Sequence, residues 1–132
     1  MKELIQAYKE TSFNVHKPKL TIKVEEVNEE LNRLLKVNNC VDWAYITAWN
    51  PYSELTNAKL NEQNNNQLRN DLIGYTVFDG EGVGSDPSWE PEKSYLILGI
   101  PLGEAILIGK KYRQNAIVAG KLNEPPQLIW IR

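Results

Sequence analysis

The 132 residues contain one cysteine, one histidine, one methionine and two phenylalanines. Cys40 alone cannot form an intramolecular disulfide, so the reducing cytoplasm is the expected compartment. With His16 the only imidazole, a zinc site of about four Cys and His ligands cannot be assembled within one chain. A Cys-His nucleophile pair would need Cys40 to meet His16 from a distant segment, and a single cysteine is more often inert packing. No apolar run approaches the roughly 20 residues of a membrane-spanning helix. Met1–Glu10 carries charges throughout instead of the apolar core of a signal peptide. A formal net charge of −2 gives no broad attraction to nucleic acid or to an anionic membrane.

Catalytic signatures are equally scarce. There is no Gly-x-Ser-x-Gly elbow. Gly80-Glu81-Gly82-Val83-Gly84 runs into Ser85-Asp86-Pro87, whereas a phosphate loop ends in Gly-Lys-Ser/Thr before a helix, so these glycines read as a turn. Asp79, Glu81, Asp86, Glu90 and Glu92 offer the oxygen ligands that hard cations take. Their spacing matches no calcium loop, and solvated loop charges are the simpler reading. No metal and no cofactor is expected.

What the chain does have is Val41–Tyr52, an apolar strand running into an Asn-Pro turn. Alternation puts Trp43, Tyr45, Thr47 and Trp49 on one face and Ala44, Ile46 and Ala48 on the other. Neither face is polar, which predicts a strand covered on both sides. Before it, Leu4, Ile5 and Tyr8 are spaced for a short helix over Lys2–Lys9. Ser12–His16 and Lys19–Val24 alternate as strands and read as a hairpin joined at Lys17-Pro18. Asn28 is a helix N-cap followed by Glu29 and Glu30, and Leu31, Leu34 and Leu35 give the apolar stripe.

After Pro51, Ser53 is placed to cap a helix starting at Glu54 and closing near Gly74. Its middle, Asn61–Gln67, is polar on every face and predicts a broken or frayed helix. The run Asn64–Asn66 is the one compositional bias. Tyr75–Phe78 is a short strand and Asp79–Lys93 a long irregular loop, of the length that is usually functional or mobile. Ser94–Ile100 is a strand. A helix from Pro101 then packs Leu102, Ala105, Ile106 and Gly109, and strands Ala116–Ala119 and Gln127–Ile131 meet at a Pro125-Pro126 turn.

One domain over residues 1–132 is expected, of class α+β, with a mixed sheet, packed helices and the order ββαβαββαββ after the short leading helix. A strand-helix-strand unit makes Asp42–Trp49 and Tyr75–Phe78 parallel. If Ser94–Ile100 returns antiparallel, three segments reach one rim: 49–52, the start of 79–93, and 113–115. Ligand sites favour such rims.

These same segments carry a resemblance. Thr47-Ala48-Trp49-Asn50-Pro51, the loop with Asp86, Trp89-Glu90-Pro91-Glu92 and Ser94, and Gly109 with Gln114-Asn115-Ala116-Ile117-Val118 resemble a bacterial family, domain of unknown function 3293, over roughly Val41–Ala119. The resemblance implies a bacterial or phage source and no activity, substrate or cofactor.

The expected ligand-binding residues are Thr47, Trp49, Asn50, Tyr52, Trp89, Glu92, Arg113, Gln114 and Asn115. The aromatic rings would stack on a planar ligand, and the carboxamides offer donors and acceptors together. Lys110, Lys111 and Arg113 would reach a phosphate, although cations at a helix C-terminus also answer its dipole. Taken singly, each residue reads more simply as structural. Their convergence points to binding or sequestering a small polar, nucleotide-like ligand without turnover. The alternatives are a small enzyme acting on such a ligand through Glu81 or Asp86, and an interaction module or homo-oligomer pairing through an edge strand such as Gln127–Ile131.

Overall fold

A computed structural model describes residues 2–132; Met1, at the head of the charged opening stretch, lies outside the described residues. In chain order the elements are α1 (Lys2–Glu10), β1 (Ser12–Val15), β2 (Leu20–Ile22), α2 (Glu29–Val37), β3 (Asp42–Ile46), a 3-10 turn (Pro51–Ser53), α3 (Ala58–Asp71), β4 (Thr76–Val83), β5 (Glu92–Leu98), α4 (Leu102–Lys111), β6 (Ala116–Lys121) and β7 (Gln127–Trp130). The fold is α+β, with strands and helices in the expected order.

The strands form one sheet in the order β2-β1-β4-β5-β3-β6-β7. Every neighbouring pair is antiparallel, so the sheet is not mixed. β3 and β4 do run in the same direction, as the strand-helix-strand unit predicts, but β5 lies between them and pairs with both. The physical reason is local closure: β4 and β5 form a long hairpin, whose short loop costs less entropy than a direct pairing of β3 with β4.

That hairpin also shortens the expected irregular stretch Asp79–Lys93 to residues 84–91. Gly80, which reads as a turn residue, sits inside β4 opposite Val15 of β1. A Cβ there would lie 2.0 Å from Asn14 O and 2.9 Å from the Tyr45 hydroxyl, so the glycine serves a close approach of strands.

β3 is central and divides the core as its alternation predicts. Trp43 and Tyr45 join Phe13, Val15, Leu31 and Leu35 on the face that carries α2 and Tyr8 of α1. Ala44 and Ile46 join Leu68, Leu72, Ala105 and Ile117 on the face that carries α3 and α4. Trp43 pairs with Gly120 across β3 and β6, and its indole occupies the space a Cβ would need.

Helix boundaries follow the caps. Asn28 caps α2 as expected, accepting from Leu31 N at 2.9 Å. The next helix starts later than expected: Ser53 lies in the 3-10 turn, and Asn57 caps α3 by accepting from Leu60 N at 2.8 Å. α3 then runs unbroken through the asparagine-rich segment. In α4, Pro101 is the N-cap rather than the first helical residue, and Leu102 is exposed rather than packed. Gly109 does meet the sheet, with Ile117 and Ile131 where a Cβ would stand. Among the described residues, no helix is long and apolar enough to cross a membrane.

Candidate functional site

The C-terminal ends of β3 and β4 and the N-terminal ends of β5 and β6 come to one rim of the sheet, because neighbours run antiparallel in this order. β3 ends at Ile46, and the ladder to β5 ends with the pair Ile46↔Tyr95. Two residues further on in the same register, Ala48 would face Lys93. An asparagine side chain takes the place of that pairing: Asn65 Oδ1 accepts from Ala48 N at 2.8 Å, and Asn65 Nδ2 donates to Lys93 O at 2.9 Å. One carboxamide thus bridges two backbones at the point where they separate.

One turn earlier on α3, Asn61 does the same for the rim loop. Its Oδ1 accepts from Asn50 N at 2.8 Å, and its Nδ2 donates to Asn50 Oδ1 at 2.9 Å and to Thr56 O at 3.1 Å. Asn50 Oδ1 also accepts from Thr56 N at 3.0 Å, which leaves Asn50 Nδ2 to donate to Glu92 Oε2, also at 3.0 Å. Asn61 and Asn65 are each 1% exposed. Buried polar groups satisfied this fully hold a loop in one conformation, since each partner would cost free energy if left unpaired.

The loop they hold is strained. Asn50, Tyr52 and Ser53 have φ of 46°, 56° and 61°, in the left-handed region that side chains with a Cβ seldom adopt. Arg113, at φ 57°, lies against this turn and accepts from Tyr52 N through its carbonyl at 2.7 Å.

Between this loop, the sheet and α1 lies a cavity of about 300 Å³. Leu4, Phe13, Val118 and Leu128 give it apolar walls, and Thr47, Asn50, Ser53, Glu92, Ser94 and Gln114 put polar groups on its surface. Glu92 stands out among them. Its Oε2 accepts from Asn50 Nδ2 and, at 2.9 Å, from Trp89 Nε1. Burial raises its carboxyl pKa above the ordinary value, and the Trp89 and Asn50 hydrogen bonds offset part of that rise. Tyr8 reaches the same space from α1, with its hydroxyl 3.2 Å from Ser53 Oγ. Its pKa is raised first by burial and further by the Glu92 charge, while Ser53 and Asn115 oppose the rise.

Of the expected ligand-binding residues, Thr47, Asn50, Trp89, Glu92 and Gln114 line the cavity. Asn115 lies one step behind the lining, donating to Ser53 Oγ at 2.9 Å. Trp49 is half-buried outside the lining, and its carbonyl accepts from Gln114 Nε2 at 3.4 Å. Tyr52 turns outward beneath the Arg132 guanidinium, 4.1 Å from ring centre to cation, and Arg113 is exposed. Lys111 is bound to Asp71 at 2.7 Å. The cations expected to reach a phosphate therefore do not line the cavity.

Of the two expected catalytic residues, Glu81 lies within β4 and outside the cavity lining. Asp86 is at the cavity mouth, where the Ser88 hydroxyl and backbone N–H hold its pKa below the ordinary value. Cys40 Sγ donates to Asn38 O, and His16 is exposed at the end of β1, so they form no pair.

Asn61, Asn65, Ser53 and Tyr8 were not anticipated from sequence. Asn61 and Asn65 had a signal, since 61, 65, 68 and 72 make one helical stripe that ends in the buried Leu68 and Leu72. Nothing in the sequence ties Tyr8 to the rim.

Residues 46–117 match a family described as "Protein of unknown function (DUF3293)", more than half of the chain. The chain belongs to this family. The DUF3293 match runs from the last residue of β3 to the second of β6, so it contains the asparagine bridges, Trp89, Glu92, Gln114 and Asn115, and leaves out α1 with Tyr8. No curated protein and no solved structure matches the chain.

Proposed function

We propose that the protein binds a small organic molecule in the cavity between α1 and the rim of the sheet, holding it without turnover. The observation that carries this reading is the combination of an apolar space of about 300 Å³ with a few polar groups fixed at its edge by a buried network. Ligand pockets range from about 300 to 1,000 Å³ and share that make-up, so this one suits a compact ligand. Trp89 and the Gln114 carboxamide support the expected planar, hydrogen-bonding ligand, whereas the Asn50 carboxamide is engaged by Asn61, Thr56 and Glu92. The placement of Arg113 and Lys111 gives no support to its phosphate.

Native mass spectrometry of the protein purified from cell extract tests the reading. A bound small molecule is expected, and its occupancy should fall in Ala116→Phe, which fills the cavity from β6, with the thermal transition kept. An unliganded protein that also leaves every compound of a small-molecule library unbound would contradict it.

A second reading, an enzyme, draws on Glu92: a half-buried carboxyl with a raised pKa beside a cavity has the properties of a general acid or base. Ser53 favours acyl transfer less, because its hydroxyl neighbours are Tyr8 and Asn115 rather than a base. Conversion of the bound molecule by wild type, lost in Glu92→Gln with binding retained, would select this reading.

A further inference from the structure

Among the described residues, no lysine, arginine or histidine lines the cavity, while two carboxylates do: Glu92 and, at the mouth, Asp86. Lys93, next to Glu92 in sequence, and Arg132, which donates to Asn115 Oδ1 at 3.3 Å, are engaged elsewhere. Lys93 directs its ammonium to Glu62 at 3.1 Å, and Arg132 covers the Tyr52 ring. Glu92 is also asymmetric. Among the described residues both of its hydrogen bonds fall on Oε2 and none on Oε1. Asp86 likewise uses Oδ1 for both of its bonds to Ser88. Asp86 is exposed to solvent, but Glu92 is half-buried beside apolar walls, and its free Oε1 is left as an acceptor position for a cation or a donor.

The walls suit a cation as well. Tyr8, Tyr45 and Trp89 line the cavity, and aromatic rings attract cations through their quadrupoles. Leu4, Phe13, Val118 and Leu128 ask for an apolar body. A bare metal ion meets neither demand, because hard cations take about six oxygen ligands and the lining is largely hydrocarbon.

Resting on the binding function proposed above, we infer that the ligand is an organic cation, a protonated amine or amidinium on a compact apolar body, with its N–H groups on Glu92 Oε1. The ligand then supplies the charge that the fold withholds from Glu92. The upward shift of the Glu92 pKa agrees with this, since burial favours the neutral acid and a neighbouring cation favours the carboxylate.

Titration of isotope-labelled protein with benzylamine, benzyl alcohol and benzoate, read from backbone amide shifts, tests the inference. Benzylamine is expected to move the Thr47, Trp89 and Ser94 amides and to bind roughly tenfold or more tightly than benzyl alcohol, the scale separating charged from neutral hydrogen bonds. Benzoate should bind most weakly. In Glu92→Gln benzylamine should lose its advantage and bind no more tightly than benzyl alcohol does to the same variant. The wild-type ranking alone decides the matter if that variant does not fold. Benzyl alcohol or benzoate binding at the cavity as tightly as benzylamine would overturn the cationic class and leave the cavity as a binding site. Absence of cavity shifts with all three probes would overturn the binding reading itself.

Discussion

Asn61 and Asn50 are joined in both directions: the Asn61 carboxamide accepts the Asn50 backbone N–H at 2.8 Å and donates to the Asn50 side-chain oxygen at 2.9 Å. Through Asn50 the same network reaches Glu92. A polar stripe on a helix thereby fixes a strained loop and aims a carboxylate.

Asn61→Ala should destabilise the fold by roughly 2–4 kcal/mol and Asn65→Ala by roughly 1–3 kcal/mol, at about 1–3 kcal/mol per stranded backbone group. The first strands Asn50 N and Thr56 O, and the second Ala48 N, while Lys93 O keeps the Thr47 hydroxyl. Asn66→Ala, on the exposed side of the same helix, should stay within about 0.5 kcal/mol of wild type. Urea unfolding measures all three. Equal effects would show that the asparagines act only through helix propensity.

The glycines divide in the same way. Gly80→Ala places a methyl 2.0 Å from Asn14 O and disturbs the Tyr45 hydroxyl, which donates to Asn14 O at 2.7 Å. A loss of about 3 kcal/mol or more is expected, since the strands must separate to admit it. Gly103→Ala meets nothing within 4 Å and lies in the first turn of α4, so a gain of roughly 0.5–1 kcal/mol is expected. Thermal unfolding of the pair checks both signs.

Much of this was legible in the sequence. The alternation across Trp43–Ile46 predicts a strand with two buried faces, and β3 has them, because side-chain parity is local. The asparagine-rich helix reads as frayed for an equally physical reason. Asparagine is a poor helix former until its side chain finds backbone to bind, and that backbone is Ala48, just past β3, and Lys93 of β5, distant in sequence. Gly80 reads as a turn residue because its close approach to β1 cannot be seen without β1 beside it. The outward turn of Tyr52 and Arg113 depends on left-handed backbone that an Asn-Pro step does not announce.

Stability should respond to pH through Glu92. Its folded-state pKa is raised, so the folded state binds the proton more tightly than the unfolded chain. The resulting stabilisation is fully present below the ordinary carboxylate value and is lost as pH rises through the raised one. Tyr8, Tyr45 and Asp86 are the other titratable groups of the cavity, and the raised tyrosines and lowered Asp86 titrate outside that window. Glu92→Gln should therefore gain stability relative to wild type at neutral pH and lose that advantage as pH falls. A stability difference that does not vary between acidic and neutral pH would contradict the raised pKa of this carboxyl.

α1 buries no residue completely and rests on the sheet through Tyr8, whose ring meets Trp130 edge to face at 6.5 Å. Its amides should exchange with solvent faster than those of α2, which buries Leu31 and Leu35. Hydrogen exchange followed by mass spectrometry reads the difference. Ligand in the cavity should slow α1 selectively, because Leu4, Ala7 and Tyr8 form one of its walls.

The location of the first bound compound decides the account. A fragment library screened against backbone amide shifts should converge on Thr47, Trp89, Ser94 and the α1 residues around Tyr8. Compounds that gather instead on the outer face of α4, where Leu102 and Leu107 are exposed, and leave the rim unmoved would contradict it.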